Sequence, residues 1–251
     1  MSITLPEPAR TWLRPLGDAG DTALVCFPHA GGSASVFGSW KSHLPEHLAL
    51  LGVQYPGRAD RGDEPMSGQL QSLAQQIAMA LQWARFPYVL LGHSMGALLA
   101  YETCLSLADL GLGHPEQLIV SASPPPDQAP ARSRSDVSGR VLSLPGPDEG
   151  DQEARQHFAQ LVETDLRLLR DYEPTGRRVQ TPLTCLYNTD DPDMSAQDAE
   201  EWRAFTTEDF RTQELPGGHF SCVEDPQAVG EMLRQLLSPR GQAARGEARR
   251  A

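Results

Sequence analysis

The stretch Gly92-His93-Ser94-Met95-Gly96 holds a serine between two glycines, each two positions from the serine. Apolar residues suited to a buried strand precede it, and a run of Ala and Leu suited to a helix follows it. A sharp turn between a strand and a helix strains such a serine, and larger neighbours would collide with the backbone. The turn also brings the hydroxyl near the N–H groups of the helix N-terminus, which favour developing negative charge. Ser94 is therefore the candidate nucleophile.

A serine nucleophile of this kind requires an acid and then a histidine base further along the chain. Two of the seven histidines, His114 and His219, follow Ser94 at a strand or loop position. His219 lies beyond every acid candidate, and the two glycines before it give its loop freedom to direct the imidazole at the serine. We therefore take His219 as the candidate base.

The acid must follow the apolar strand that ends at Tyr187 and Asn188. Three aspartates compete for this role, namely Asp190, Asp191 and Asp193. All three lie just past a strand end, where ligands bind in a parallel sheet.

A second loop follows the predicted strand 22–27 and reads Pro28-His29-Ala30-Gly31-Gly32-Ser33. A Gly-Gly loop after a strand can bring a backbone N–H close to a carbonyl oxygen of a substrate. We assign the oxyanion hole to the N–H groups of Ala30 and Met95, the latter directly after the nucleophile. His29 and His93 adjoin this zone, and we expect them to shape the pocket rather than to act as the base.

Strand and helix patterns alternate along most of the chain, which predicts an α/β fold with a mostly parallel sheet covered on both faces. We expect strands over 22–27, 48–54, 87–91, 117–121, 182–187 and 210–215, and an edge strand near 11–14. We expect helices over 35–44, 66–85, 95–110, 195–205 with Ser195 as N-cap, and 223–237.

Residues 127–178 contain no strand pattern, and we interpret them as an inserted lid in a core formed by 1–126 and 179–237. An amphipathic helix over 153–172 lies within this lid, with Phe158 and Val162 on its apolar face. Asp165 falls on the same face, so we expect a partly exposed or paired carboxylate. The tail 238–251 is rich in Arg, Ala and Gly, and we expect it to be disordered.

The bulk composition excludes several classes of protein. A net charge of −12 argues against nucleic acid or an anionic membrane as the main partner. The N-terminus lacks a signal peptide and no apolar run is long enough to span a membrane, so a cytoplasmic protein is expected. The four cysteines are scattered without metal-ligand spacing, so we expect buried thiols and neither a disulfide nor a metal site.

Several motifs together resemble the type II thioesterases, the stand-alone editing enzymes of polyketide and nonribosomal peptide synthesis. These motifs are Cys26–Ala34, Gln54–Arg58, Leu91–Ala97 and Pro216–Phe220, supported by Asp198–Trp202 and Phe205-Thr206. The resemblance covers about residues 12–237 and implies the α/β-hydrolase fold. Its G-x-x-D-x-x-V spacing maps onto 188–194 and selects Asp191 as the acid, with Asp190 next. Asn188 replaces the usual glycine, and Ala59 departs from the pattern after Pro-Gly-Arg.

The resemblance implies hydrolysis of acyl groups from the phosphopantetheine arm of acyl or peptidyl carrier proteins, without a cofactor and as a monomer. Carrier proteins are usually acidic, so docking would need apolar contacts or a local basic patch, for which Arg132, Arg134, Arg177 and Arg178 are candidates. The alternatives are a chain-releasing thioesterase (type I-like or specific for medium-chain fatty acyl groups), a general serine esterase, and a non-catalytic carrier-binding module.

Overall fold

The computed structural model describes residues 3–17, 20–133 and 152–237 of the chain. Seven strands within these ranges form one sheet in the order β1-β3-β2-β4-β5-β6-β7. They are β1 (Leu13–Pro15), β2 (Thr22–Phe27), β3 (Leu48–Val53), β4 (Tyr88–His93), β5 (Gln117–Ser121), β6 (Leu183–Asn188) and β7 (Phe210–Leu215). The edge strand β1 is antiparallel to β3, and the other neighbours pair in parallel. The predicted mostly parallel α/β sheet is confirmed.

The sheet separates two apolar cores. In β2, Val25 and Phe27 belong to one core, whereas Leu24 and Cys26 belong to the other. A strand that is buried on both faces is an unbroken apolar run without alternation, which is the pattern of β2 in the sequence. The expectation that helices cover both faces of the sheet is therefore confirmed.

The predicted helices are present but shorter than expected, and those predicted over 195–205 and 223–237 are divided. The described α-helices are Glu7–Arg10, Leu70–Leu81, Met95–Asp109, Ala129–Ser133, Gln152–Arg170, Ala196–Glu201, Ser221–Glu224 and Pro226–Leu236, with 3-10 helices at Ala34–Ser42, Ala59–Arg61 and Trp202–Phe205. The closing helix is divided because Asp225 caps a new helix by accepting from the Ala228 N–H at 3.0 Å, and Pro226 is its first residue. Ser195 caps its helix as predicted, in a capping box with Asp198.

The connection between β5 and β6 holds the helices Ala129–Ser133 and Gln152–Arg170, and none of the seven strands lies in its described part. We call Gln152–Arg170 the insertion helix. Residues 134–151 of the predicted lid and the predicted disordered tail 238–251 lie outside the described residues. The division into core and lid stays a prediction.

All four cysteines are buried and carry free thiols, as expected from their apolar surroundings. None of the helices in the described ranges has the length and apolar character that a membrane span requires.

Candidate active site

Ser94 lies in the turn between β4 and the helix Met95–Asp109. Its backbone has φ 56° and ψ −120°, a conformation that residues other than glycine rarely adopt. The Ser94 N–H donates to the carbonyl of Ser121 at 2.8 Å, which ties the turn to the end of the neighbouring strand β5. The strained turn predicted from the spacing is therefore present, and it places the serine at the carboxyl edge of the sheet.

The two glycines around Ser94 are required by the close approach of main-chain atoms. A Cβ atom on Gly92 would lie closer than 3.0 Å to the carbonyl oxygen of Gly96, and one on Gly96 closer than 3.0 Å to that of Phe27. Both obstacles are backbone atoms held in regular structure, so neither can move aside. The steric requirement for small residues at these positions is confirmed.

The loops after β6 and β7 bring an aspartate and a histidine together. His219 Nδ1 donates to Asp191 Oδ2 at 2.9 Å. The Asp191 side chain is fully buried, whereas the His219 ring keeps 18% of its surface exposed. Because a carboxylate only accepts, the proton of the neutral imidazole lies on Nδ1 and leaves Nε2 as a base.

The competing residues have different positions. Asp190 is exposed, and its N–H donates to the Gly217 carbonyl at 2.9 Å, which joins the two loops. The Asp193 N–H donates to Asp191 Oδ1 at 2.8 Å and so orients that carboxylate. His114 precedes β5, at the opposite edge of the sheet from Ser94.

Asp191, Asp193 and His219 also offer three potential metal-ligand atoms within 4.8 Å of one another. Two of these residues already bond each other through Nδ1 and Oδ2. The histidine–aspartate hydrogen bond and the adjacent turn therefore account for this cluster.

Ser94 and His219 line one small cavity of about 20 Å³. Its apolar wall includes Leu98 from the helix after the serine and Leu169 from the insertion helix. Arg132 also lines it, and its Nη1 donates to the Asp193 carbonyl at 3.0 Å and to Asp198 Oδ2 at 3.1 Å. A space of this size accommodates about one water molecule beside the serine.

The two residues of the predicted oxyanion hole are buried. Ala30 and Met95 are 4% and 1% exposed, yet neither N–H donates to any group in the part of the chain that the structure describes. Met95 is the first residue of its helix, so its N–H has no intrahelical acceptor. Buried N–H groups are almost always paired, so two without an acceptor fit the expected oxyanion hole, which stays a prediction.

His29 and His93 surround the base rather than replace it. Both are buried, and both rings contact Phe220, which also packs against His219 with ring centroids 4.9 Å apart. Burial lowers the pKa of both imidazoles, that of His93 strongly, and the nearby His219 lowers both further. They therefore remain neutral and add no positive charge next to the base.

Arg58, for which no role was predicted, forms a buried ion pair with Asp165 of the insertion helix. Its Nη1 and Nη2 donate to Asp165 Oδ2 and Oδ1, both at 2.8 Å. The side chains are 3% and 0% exposed, so the alternative of a partly exposed Asp165 was wrong and that of a paired one is confirmed. An aspartate on an apolar helix face was the available signal, because such a group needs a partner.

Three of the arginines suggested for docking are engaged within the chain. Arg132 binds Asp198, Arg177 binds both oxygens of Asp109 at 2.8 and 2.6 Å, and Arg178 Nε donates to the Ala204 carbonyl at 2.9 Å. Arg134 lies outside the described residues.

The parallel sheet, the strained serine turn and the two loops at the same edge together define an α/β-hydrolase. The family model described as a thioesterase domain matches residues 22–237. The chain belongs to this thioesterase family and is a thioester hydrolase. Its relatives also confirm the resemblance to type II thioesterases.

The chain is 35% identical to a probable cadicidin biosynthesis thioesterase of Streptomyces griseus, over 94% of this chain and 68% of that protein. It is 32% identical to thioesterase PikA5 of Streptomyces venezuelae, over 92% of this chain and 87% of the relative. The solved type II thioesterase BorB from the borrelidin biosynthetic cluster shares 28% identity and a TM-score of 0.77, covering 93% of this chain and 99% of that one.

Proposed function

We propose that this thioesterase hydrolyses aberrant or stalled acyl groups from the phosphopantetheine arm of acyl or peptidyl carrier proteins, in polyketide or nonribosomal peptide synthesis. Ser94 acts as nucleophile, His219 as base and Asp191 as the acid that orients it. The N–H groups of Ala30 and Met95 form the oxyanion hole.

The observation that carries the mechanism is the fully buried Asp191 carboxylate, 2.9 Å from Nδ1 of a histidine that shares a cavity with Ser94. The carboxylate holds the imidazole in the tautomer that exposes Nε2 as a base, and it stabilises the imidazolium that forms. The relatives named for cadicidin biosynthesis and the borrelidin biosynthetic cluster support the choice of pathway.

In the acylation half-reaction, His219 Nε2 takes the Ser94 proton while Oγ attacks the thioester carbonyl. The carbonyl oxygen becomes an oxyanion that the Ala30 and Met95 N–H groups stabilise. When the C–S bond breaks, His219 returns the proton to the departing thiolate. The products are the free thiol of the pantetheine arm and an acyl ester of Ser94.

In the deacylation half-reaction, His219 takes a proton from a water molecule, whose oxygen attacks the ester carbonyl. The same two N–H groups stabilise the second oxyanion. His219 then protonates Oγ as the ester bond breaks, which releases the carboxylic acid and restores the hydroxyl. No step needs a metal or a cofactor.

The proposed partner is acidic, and this chain has a net charge of −12. Bulk attraction therefore cannot guide docking, and high salt should not weaken the encounter as it would between proteins of opposite charge. We propose docking through apolar contacts, and a monomeric, cytoplasmic enzyme.

The test is hydrolysis of acetyl- or propionyl-carrier protein beside the same acyl group on a small thiol and on an oxygen ester. We expect much faster release from the carrier and loss of release in Ser94→Ala. Equal rates on all three acceptors would contradict the carrier assignment and leave a general serine esterase. A strong preference for long, finished chains on the carrier would indicate a chain-releasing enzyme instead.

The assignment of the acid can be tested with two neighbouring variants. Asp191→Asn should lower kcat by about 10⁴-fold, because an amide does not select the same imidazole tautomer. Asp190→Asn serves as the matched control and should leave kcat within a few-fold of wild type. A large loss of kcat in Asp190→Asn with little loss in Asp191→Asn would assign the acid to Asp190 instead.

Labelling of Ser94 by a fluorophosphonate tests the non-catalytic alternative. Failure to label Ser94 in the wild type would favour a non-catalytic carrier-binding module.

A further inference from the structure

The segment Gln54–Arg58 after β3 has no role in the chemistry proposed above, although it contains three buried polar side chains. We call His29–Ser33, which carries the candidate oxyanion donor Ala30, the Gly-Gly loop. The Tyr55 hydroxyl donates to the Pro28 carbonyl at 3.1 Å, next to the start of this loop. Gln54 Oε1 accepts from the Ala34 N–H at 3.1 Å, next to its end. The two contacts hold both ends of the Gly-Gly loop.

Arg58 holds the middle of the loop. Its Nη1 donates to the Gly32 carbonyl at 3.1 Å and to Asp165 Oδ2 at 2.8 Å. Asp165 Oδ2 in turn accepts from the Gly31 N–H at 2.7 Å. One buried carboxylate of the insertion helix is therefore bonded both to the loop and to the arginine that supports the loop.

These contacts determine the direction of the Ala30 N–H. That N–H shares a planar peptide unit with the His29 carbonyl, which accepts from the Gly32 N–H at 3.0 Å. The next peptide unit joins the Ala30 carbonyl, 2.9 Å from His29 Nδ1, to the Gly31 N–H that Asp165 binds. Because both units are held at their far atoms, the dihedral angles around Ala30 have little freedom.

The insertion helix packs directly on the same residues. A Cβ atom on Gly31, whose φ is 77°, would lie closer than 3.0 Å to both Val162 and Phe158 of that helix. A side chain at position 31 would separate the helix from the loop and stretch the Asp165 contact. The apolar contacts of Val162 and Phe158 and the Asp165 carboxylate therefore fix the position of the insertion helix on the Gly-Gly loop.

We infer that Asp165, held by Arg58, is a positioning residue that sets the oxyanion geometry of the Gly-Gly loop and makes it depend on the seating of the insertion helix. The inference rests on the proposed serine mechanism, in which the Ala30 N–H binds the oxyanion. It concerns the transition state, because the substrate carbonyl carries far less negative charge than the oxyanion.

The first test is Asp165→Asn. An amide has a single acceptor oxygen for three donor groups, so either Gly31 or Arg58 loses its acceptor while the shape of the side chain is kept. We expect kcat to fall by about 10- to 100-fold, since loss of a whole oxyanion donor costs about 10²- to 10³-fold. KM should stay within about twofold of wild type, because ground-state binding is unaffected.

A trifluoromethyl ketone that carries the acyl group provides a readout that loss of stability would not change. Its adduct with Ser94 places an oxyanion in the hole, so its inhibition constant should rise by the same factor as kcat falls. The matched control is Asp109→Asn, which removes another Arg–Asp fork, that of Arg177, without touching the Gly-Gly loop. We expect the control to keep wild-type kcat and inhibition.

The double variant Arg58→Met/Asp165→Leu guards against misfolding, because it leaves no unpaired charge in the interior. We expect a folded protein with the same loss of kcat and of inhibitor affinity. A folded double variant with kcat within threefold of wild type would overturn the inference, and so would one that fails to fold, since the pair would then support the fold rather than the loop.

The assay should use the thioester that the wild type hydrolyses fastest. A wild type without thioesterase activity would contradict the proposed function. An active wild type whose variants are equally active would contradict this inference alone.

Discussion

Two regions meet at Ser94, and they are held in different ways. The serine turn is fixed by main-chain contacts, because the Cα atoms of Gly92 and Gly96 lie against carbonyl groups of regular structure. The insertion helix is fixed by side chains, with Asp165 bonded to Arg58 and, just past the helix end, Tyr172 donating to Glu102 Oε1 at 2.6 Å.

This difference determines which part of the site can rearrange after a substitution. Main-chain contacts in a packed sheet have no alternative arrangement, so the serine turn should fail completely when it is crowded. A buried hydrogen bond or ion pair can be removed by one substitution, and the resulting loss of stability depends on which polar groups remain unpaired. The oxyanion side of the site is therefore the part that substitution can modulate.

The largest effect is expected for Gly96→Ala. The added methyl would meet the Phe27 and Pro28 carbonyl groups, so we expect either no native fold or a loss of more than about 5 kcal/mol in the free energy of unfolding. Urea denaturation measures it. The control is Gly38→Ala, where a Cβ atom meets nothing within 4 Å. Equal stability of the two variants would show that the turn can adjust after all.

Arg58→Met should have the next largest effect. It leaves the fully buried Asp165 carboxylate without its cation, which costs about 3–5 kcal/mol in the free energy of unfolding. Adding Asp165→Leu should recover most of that loss, because the desolvated charge is removed as well. Denaturant unfolding of the single and double variants measures the recovery. A double variant as unstable as Arg58→Met would mean that lost packing, not the charge, causes the damage.

The residues around the nucleophile could be predicted because each follows a strand end in a recognisable pattern. Ser94 has its two glycines, His219 is the last histidine beyond the acids, and the Gly-Gly sequence identifies the loop of Ala30. These features are local in sequence and come from backbone geometry, which a short motif describes well.

The contact between Arg58 and Asp165 could not be predicted in the same way, because 107 positions separate the two residues. The sequence shows that Asp165 needs a partner but does not identify which of 20 arginines supplies it. Helix ends were also imprecise. The predicted helix over 66–85 begins only at Leu70, since Ser67 and Gly68 favour a turn, and it ends at Leu81.

A smaller, pH-dependent effect is expected for Glu102→Gln. Burial raises the pKa of Glu102, partly offset by the hydrogen bond from Tyr172. The folded state therefore holds the Glu102 proton more tightly than the unfolded state, so this group contributes less stability as pH rises above about 4.3. Glutamine does not titrate and keeps an oxygen for the Tyr172 hydroxyl.

The stability of Glu102→Gln relative to wild type should consequently increase between about pH 4 and pH 8. Tm measured across this range tests the prediction. Glu116→Gln, at an exposed glutamate, is the matched control and should show a flat difference. A flat difference for Glu102→Gln as well would mean that the carboxyl is ionised at no cost in the folded state.

The smallest effect is expected for Asp109→Asn, and it makes the comparison quantitative. Arg177 forms the same two-bonded fork with Asp109 as Arg58 does with Asp165, but these side chains are 45% and 58% exposed. Water and salt screen such a pair, so the loss in the free energy of unfolding should be below about 1 kcal/mol and should vanish in about 1 M salt.

The hydrogen bonds from Arg177 lower the pKa of Asp109, so this contribution is present at neutral pH and disappears as pH falls through that pKa. Denaturant unfolding at two salt concentrations measures it. A loss as large as that of Arg58→Met would mean that the geometry of the fork, rather than its burial, determines the strength of attachment.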